Sequence, residues 1–201
     1  MRRELGEEDP NTLTAMLDLA EITFNQGRLI ATRKLEEAVV AGRSRLLGEN
    51  HPDTLKAMRK LGVTLGAQGE FVAARELQQR VVEEMRALWG DEDRETLRAV
   101  NNLAGTLSAA GNLAQAESLL QETIAVSCRV LGDQHPDTLI AMGNLAAVLW
   151  QAGNEEGAYA LQYQVVELSR AVHGADHSAT EVAEATLAMM ERTIETWARP
   201  L

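Results

Sequence analysis

The chain has 201 residues, 45% of them apolar but only 3% aromatic, and its 30 acids against 19 bases give a net charge of -11. That length suits one compact domain or an array of small units, and with so few aromatics the core must be Ala, Leu, Val and Met, which favours packed helices over sheets. The charge opposes phosphate backbones and anionic lipid, so neither nucleic acid nor a membrane is expected as a partner.

Met1-Arg2-Arg3-Glu4-Leu5-Gly6-Glu7-Glu8 puts two positive charges at the start with no apolar stretch behind them, unlike a secretory signal. No run approaches the ~18 apolar residues of a membrane span. The single Cys128 excludes an intramolecular disulfide and fits a reducing compartment, so the sequence reads as a soluble cytoplasmic protein.

Arg3-Glu4-Leu5-Gly6 aligns with Arg45-Leu46-Leu47-Gly48 and Arg129-Val130-Leu131-Gly132, as though the chain were cut from something longer. From there the sequence repeats every 42 residues: Leu5-Gly6, Leu47-Gly48, Trp89-Gly90, Leu131-Gly132 and His173-Gly174 keep that interval, as do Thr12, Thr54, Thr96, Thr138 and Thr180. Ala15, Ala57, Ala99, Ala141 and Ala183 follow it, and so do Leu19, Leu61, Leu103, Leu145 and Leu187. A second glycine series, Gly27, Gly69, Gly111 and Gly153, divides each unit in two. Each half has the length and spacing of an amphipathic helix, with Leu55, Met58, Leu61, Gly62 and Leu65 in one and Leu77, Val81 and Leu88 in its partner.

Helical hairpins are therefore predicted at about 10–47, 52–89, 94–131 and 136–173. Asp9-Pro10, His51-Pro52 and His135-Pro136 place proline at the first helical position, where its missing N–H costs nothing. A final helix at about 178–197 keeps register through Thr180, Ala183, Leu187 and Ala188. It carries Glu184 and Glu191 where earlier units have Met58, Val100, Met142 and Leu65, Leu107, Leu149, so it reads as a water-facing polar cap.

Small residues recur where helices must approach closely, at Ala20, Gly62, Ala104 and Ala146 on the first helices and Ala74, Ala116 and Ala158 on the second. This pattern resembles the tetratricopeptide repeat. The spacing and the strings His51-Pro52-Asp53-Thr54-Leu55, Asn101-Asn102-Leu103-Ala104 and His135-Pro136-Asp137-Thr138-Leu139 resemble the kinesin light chain type. HEAT and armadillo arrays have similar periods, but the glycine and alanine placement favours the tetratricopeptide kind. The resemblance implies an all-α, right-handed superhelical solenoid of four hairpins plus a C-terminal capping helix, with residues 1–201 as a single array.

No catalytic residue, metal site or cofactor is expected, and the chain reads as a non-enzyme. His51, His135 and His177 share a turn position with Asp9 and Asp93, and His173 stands where other units have the Leu or Trp before glycine. Gly132 is not followed by the Gly-Lys-Ser/Thr of a phosphate loop. Cys128 reads as a plain surface or half-buried thiol, and Glu36-Glu37, Glu83-Glu84 and Glu155-Glu156 as solvated faces.

Binding is the expected function, on the concave face lined by first helices. Turning each helix by roughly 100° per residue from its packed stripe puts Lys56, Arg59, Lys60, Val63, Gly66 and Ala67 inward in the second unit. The same register gives Arg98, Asn101, Asn102 and Gly105 in the third, Ile140, Gly143, Asn144, Ala147 and Trp150 in the fourth, and Asp18, Glu21 and Phe24 in the first. Stretches 55–68, 97–115 and 139–154 together hold four bases and no acid, which suits an extended peptide with carboxylates.

The kinesin light chain resemblance implies that Asn102 and Asn144 grip a peptide backbone while Lys56, Lys60 and Arg98 meet its carboxylates. Asp18 and Glu21 depart from that pattern. Solvated surface charges and scaffold-bridging amides are the other reading of these residues. Two further functions remain open: a self-associating scaffold, which would make the chain a homo-oligomer, and a regulatory repeat segment of a larger multidomain protein.

Overall fold

The computed structural model describes residues 6 and 9–198, so apart from Gly6 the alignment of Arg3-Glu4-Leu5-Gly6 with later units lies outside the described residues. The chain is all-α, built from paired antiparallel-type helical segments: α1 (Pro10–Asn25) with α2 (Leu29–Leu47), α3 (Pro52–Ala67) with α4 (Phe71–Trp89), α5 (Arg94–Ala109), α6 (Leu113–Val130), α7 (Pro136–Gln151) with α8 (Glu155–His173), and the terminal α9 (Ser178–Ala198). Two compact units divide it between Ala110 and Gly111, within the third predicted hairpin. In the first, α1 packs on α2, α2 on α3, α3 on α4 and α4 on α5; in the second, α6 packs on α7, α7 on α8 and α8 on α9.

The start signals act through their side chains. Asp9 accepts the Asn11 N–H at 2.9 Å, and Asp93 accepts those of Glu95 and Thr96 at 2.8 and 3.3 Å. His51, His135 and His177 accept the N–H of Asp53, Asp137 and Ala179 through Nδ1 at 3.2, 3.1 and 3.1 Å. These histidines are N-caps, standing in for Asp because an imidazole nitrogen offers the same acceptor to an orphan donor. Threonine locks the turn before the helix: Thr54 and Thr138 donate to the carbonyls of Gly48 and Gly132 at 2.8 and 2.9 Å. Gly69 (φ 81°) and Gly90 (φ 87°) end α3 and α4 in left-handed backbone, which strains any side-chain-bearing residue.

The second helices bury a face the apolar pattern only partly describes. Ala74, Gln78, Val81, Val82 and Met85 are buried on α4, whereas Leu88, assigned to that stripe, is 47% exposed at its margin in the last turn. Gly62 is small because Gln78 lies on it: a Cβ there would sit 2.7 Å from Gln78 Cγ. On α2, Glu36 shares the buried face with Thr32 and Val39, while Glu37 stays exposed. The solvated reading therefore fails for Glu36, since four-residue spacing from Thr32 turns it inward.

The ends differ. On α1, Ala15 is exposed, Leu19 is 47% exposed and Ile22 54%. Their repeat equivalents on α3, Ala57, Leu61 and Thr64, are at 0%, 9% and 0%, covered by α2. At the other end, α9 is tied back to α8: Arg170 donates to Glu184 at 2.7 Å and the Tyr159 hydroxyl to Glu191 at 3.0 Å. These two glutamates keep contact with water, as expected of a polar cap, and each also takes a hydrogen bond from α8.

Candidate functional site

The predicted residues fall in both units: Lys56, Arg59, Lys60, Arg98, Asn101 and Asn102 in the first, Asn144 and Trp150 in the second. In the first unit the cations of α3 and α5 are brought together, but the acid-free strip expected from sequence does not exist. Lys60 Nζ bonds the Glu21 carboxylate of α1 at 2.8 Å. Arg59 and Arg98 converge on Glu95 at 3.3 and 3.2 Å. Lys56 Nζ stands 6.0 Å from the Trp89 ring centroid, within cation–π reach. Glu95 lies two residues before the stretch that looked acid-free, and Glu21 crosses from the neighbouring first helix.

These pairs are half-open to solvent, with side-chain exposures of 35% for Lys60 and 64% for Glu21, and 17%, 35% and 24% for Arg59, Arg98 and Glu95. The Lys60 ammonium, chiefly through its hydrogen bond, holds the Glu21 carboxyl below the usual carboxylate value. Asn101 and Asn102 are half-buried on the next turn of α5.

In the second unit, α7 and α9 form the walls of an open groove of about 560 Å³ whose floor is α8. Ile140, Gly143, Asn144 and Ala147 line one wall and Ala179, Val182 and Thr186 the other, over Gln162, Val165 and Ser169. Ile140 and Val182 are 54% and 67% exposed. Among the described residues no Asp, Glu, Lys or Arg lines it, and Gln162 is already engaged, donating to the Ala183 carbonyl at 2.9 Å. Asn144 thus reaches an open surface, while Trp150, half-buried in the last turn of α7, is not part of this lining.

Val182 and Thr186 were not singled out from sequence, though the repeat pointed to them. Successive equivalents of Lys56 are Arg98, Ile140 and Val182, and those of Lys60 are Asn102, Asn144 and Thr186. These positions carry three cations and Asn102 in the first unit and only uncharged side chains in the second.

His173 and His177 stack with centroids 4.5 Å apart, and His177 is occupied as a cap. Among the described residues no three His, Cys, Asp or Glu side chains gather as metal ligands, and no helix is long and apolar enough to cross a membrane. Cys128 is half-buried, and burial, with Asp133 beside it, pushes its thiol up, away from the nucleophilic thiolate.

A tetratricopeptide repeat family profile matches residues 11–87 and 95–158, and a second tetratricopeptide repeat profile matches 138–179. No curated protein matches the chain by sequence. Among solved structures, the chain is similar to the nearly identical TPR-like repeats of a Podosopora anserina kinesin light chain-like protein. The TM-score is 0.73 at 25% identity, covering 93% of this chain and 89% of that one. A point variant of that protein gives 0.74 at 24% identity, with 96% and 90% covered. BtubC (BKLC) from P. vanneervenii gives 0.70 at 16% identity, with 99% and 88% covered.

Proposed function

The chain belongs to the tetratricopeptide repeat family, and from that premise of a non-enzymatic protein-binding module we propose that it holds an extended, partly acidic peptide on the inner faces of its first helices. One observation carries this reading: the first unit already holds carboxylates there, with Glu21 on Lys60 and Glu95 on Arg59 and Arg98. A partner's Asp or Glu would exchange for these half-open side chains, while Asn102 and Asn144 are suited to grip its backbone.

Ionic contacts alone are insufficient. Four exposed pairs at ~0.2–1 kcal/mol each give at most about 4 kcal/mol, against the ~8 kcal/mol of micromolar binding, and displacing Glu21 and Glu95 lowers the gain further. The missing component is apolar burial, at ~1.5–3 kcal/mol per side chain, and the second unit by itself offers a place for it in the neutral groove between Ile140 and Val182. Trp150, outside the groove lining, is the less suited anchor. The lone Cys128 supports a reducing, cytoplasmic setting.

The test is a charge-reversed double variant, Lys56→Glu with Arg98→Glu, titrated against peptides selected on the wild-type protein. Affinity should fall at least tenfold while helicity and melting stay unchanged; unaltered affinity removes the first-unit face from consideration. Self-association is the second reading, favoured by the uncovered Ala15, Leu19 and Ile22 of α1, and a concentration-independent monomer in sedimentation rules it out.

A further inference from the structure

We propose that the groove between α7 and α9 takes an uncharged, aliphatic stretch of extended peptide, and that α8, a second helix, meets its backbone through Gln162 and Ser169. This deepens the function proposed above and rests on it for the peptide nature of the partner.

The same residue type stands at one repeat position in two settings. Gln78 and its equivalent Gln162 are 2% and 3% exposed. Over Gln78 the first helices meet: α3 touches α5, and a Cβ on Gly66 would stand 3.2 Å from Thr106 Oγ1. Both amide atoms of Gln78 are sealed from solvent there. The pair equivalent to Gly66 and Thr106 in the second unit is Trp150 and Met190, whose bulk denies α7 and α9 that approach. Gln162 and Ser169 consequently lie on the floor of an open groove.

The floor presents polar atoms that the fold does not use. Gln162 gives its Nε2 to the Ala183 carbonyl at 2.9 Å, and because a carbonyl only accepts, this leaves Oε1 as the remaining acceptor. Unlike that of Gln78, this oxygen is not sealed, and it has no partner among the described residues. The hydroxyl of Ser169, itself 3% exposed, has none either.

These atoms decide the form of the occupant. A helix in the groove has spent its backbone donors on itself and a lipid chain has none, whereas an extended segment keeps free N–H and C=O groups for both. Gln162 and Ser169 are seven residues apart, about 10 Å along α8, which roughly three residues of extended chain span. The walls decide its charge. With no Asp, Glu, Lys or Arg among the described lining residues, an ionised side chain would lose water and find no counter-ion. Aliphatic ones would instead cover Ile140 and Val182, which stand 54% and 67% exposed.

The test is methyl NMR of the full chain, labelled at Ile and Val and titrated with acetyl-Ala-Leu-Ala-Val-Ala-amide. The Ile140 and Val182 resonances should shift saturably, with an affinity that salt changes less than about twofold, since no charge takes part. Replacing the Leu of the peptide by Glu should weaken binding at least tenfold more than replacing it by Gln. Ser169→Ala should weaken the parent peptide severalfold. Gln162→Leu, which places there the residue found at equivalent position 120, should do the same for the parent but not for an analogue N-methylated along its backbone. Resonances that stay still overturn the proposal, as does a Glu peptide that binds as well as the Gln one, or an affinity that neither α8 variant alters. Shifts that grow with protein concentration alone assign the groove to a second copy and overturn it too. Lys56→Glu with Arg98→Glu should leave this titration unchanged, and a change would overturn the assignment to the second unit. Failure of acidic peptides to bind, with the titration intact, overturns the acidic-partner reading alone.

Discussion

Leu61→Ala and Leu19→Ala are the same substitution at the same repeat position in two different settings. Leu61 is 9% exposed and belongs to a cluster with Leu65 and Ala74, against which Val40 and Leu77 pack. Leu19 is 47% exposed on a face of α1 that no described residue covers as α2 covers α3. Truncating a buried leucine removes its transfer free energy and leaves a cavity, for a cost of ~2–5 kcal/mol, so about 3 kcal/mol is expected at Leu61. At Leu19 roughly half of the transfer component applies and no closed cavity forms, giving ~1 kcal/mol. The difference of ~2 kcal/mol corresponds to roughly 4–8 °C in melting temperature for a chain of this size. Urea unfolding followed by far-UV circular dichroism at two protein concentrations measures it. Equal costs at both positions would refute the reasoning, and a Leu19 cost that grows with concentration would show that another copy covers α1.

Two further pairs of substitutions probe the helix starts. Thr54→Val removes a hydroxyl bonded to the Gly48 carbonyl at 2.8 Å and should cost about 1 kcal/mol, whereas Thr96→Val removes a buried hydroxyl with no partner and should be neutral or stabilising; chemical denaturation of both decides. His135→Ala should lose the α7 cap, at ~0.5–2 kcal/mol, while His135→Asp should retain stability, because Asp9 and Asp93 already do this work; thermal melts distinguish the pair.

The helical pairing was legible because it depends on local chemistry repeated many times. Pro10, Pro52 and Pro136 start helices, left-handed Gly69 and Gly90 stop them, and Leu61 and Ala57 meet a neighbour at a fixed interval. The binding face was legible in its positions but not in its charge balance. Long side chains pair over several ångströms, so a window along one helix cannot register Glu21 arriving from α1, and a window opened at Leu97 leaves out Glu95 in the first turn of the same helix α5. Glu36 was misread for a related reason: beside Glu37 it looks like a solvated pair, and only the phase set by Thr32 and Val39 turns it inward. The α7–α9 groove needed both walls, and Val182 acquires meaning only opposite Ile140.

The contrast between the two extremities bears on how such a chain can be extended by engineering. A hairpin grafted ahead of α1 would find Ala15, Leu19 and Ile22 ready as a seat, in the register α3 already uses against α2. One appended after α9 would first have to unseat Glu184 from Arg170 and Glu191 from Tyr159 and then desolvate both carboxylates. Growth thus costs less at the first extremity than at the second.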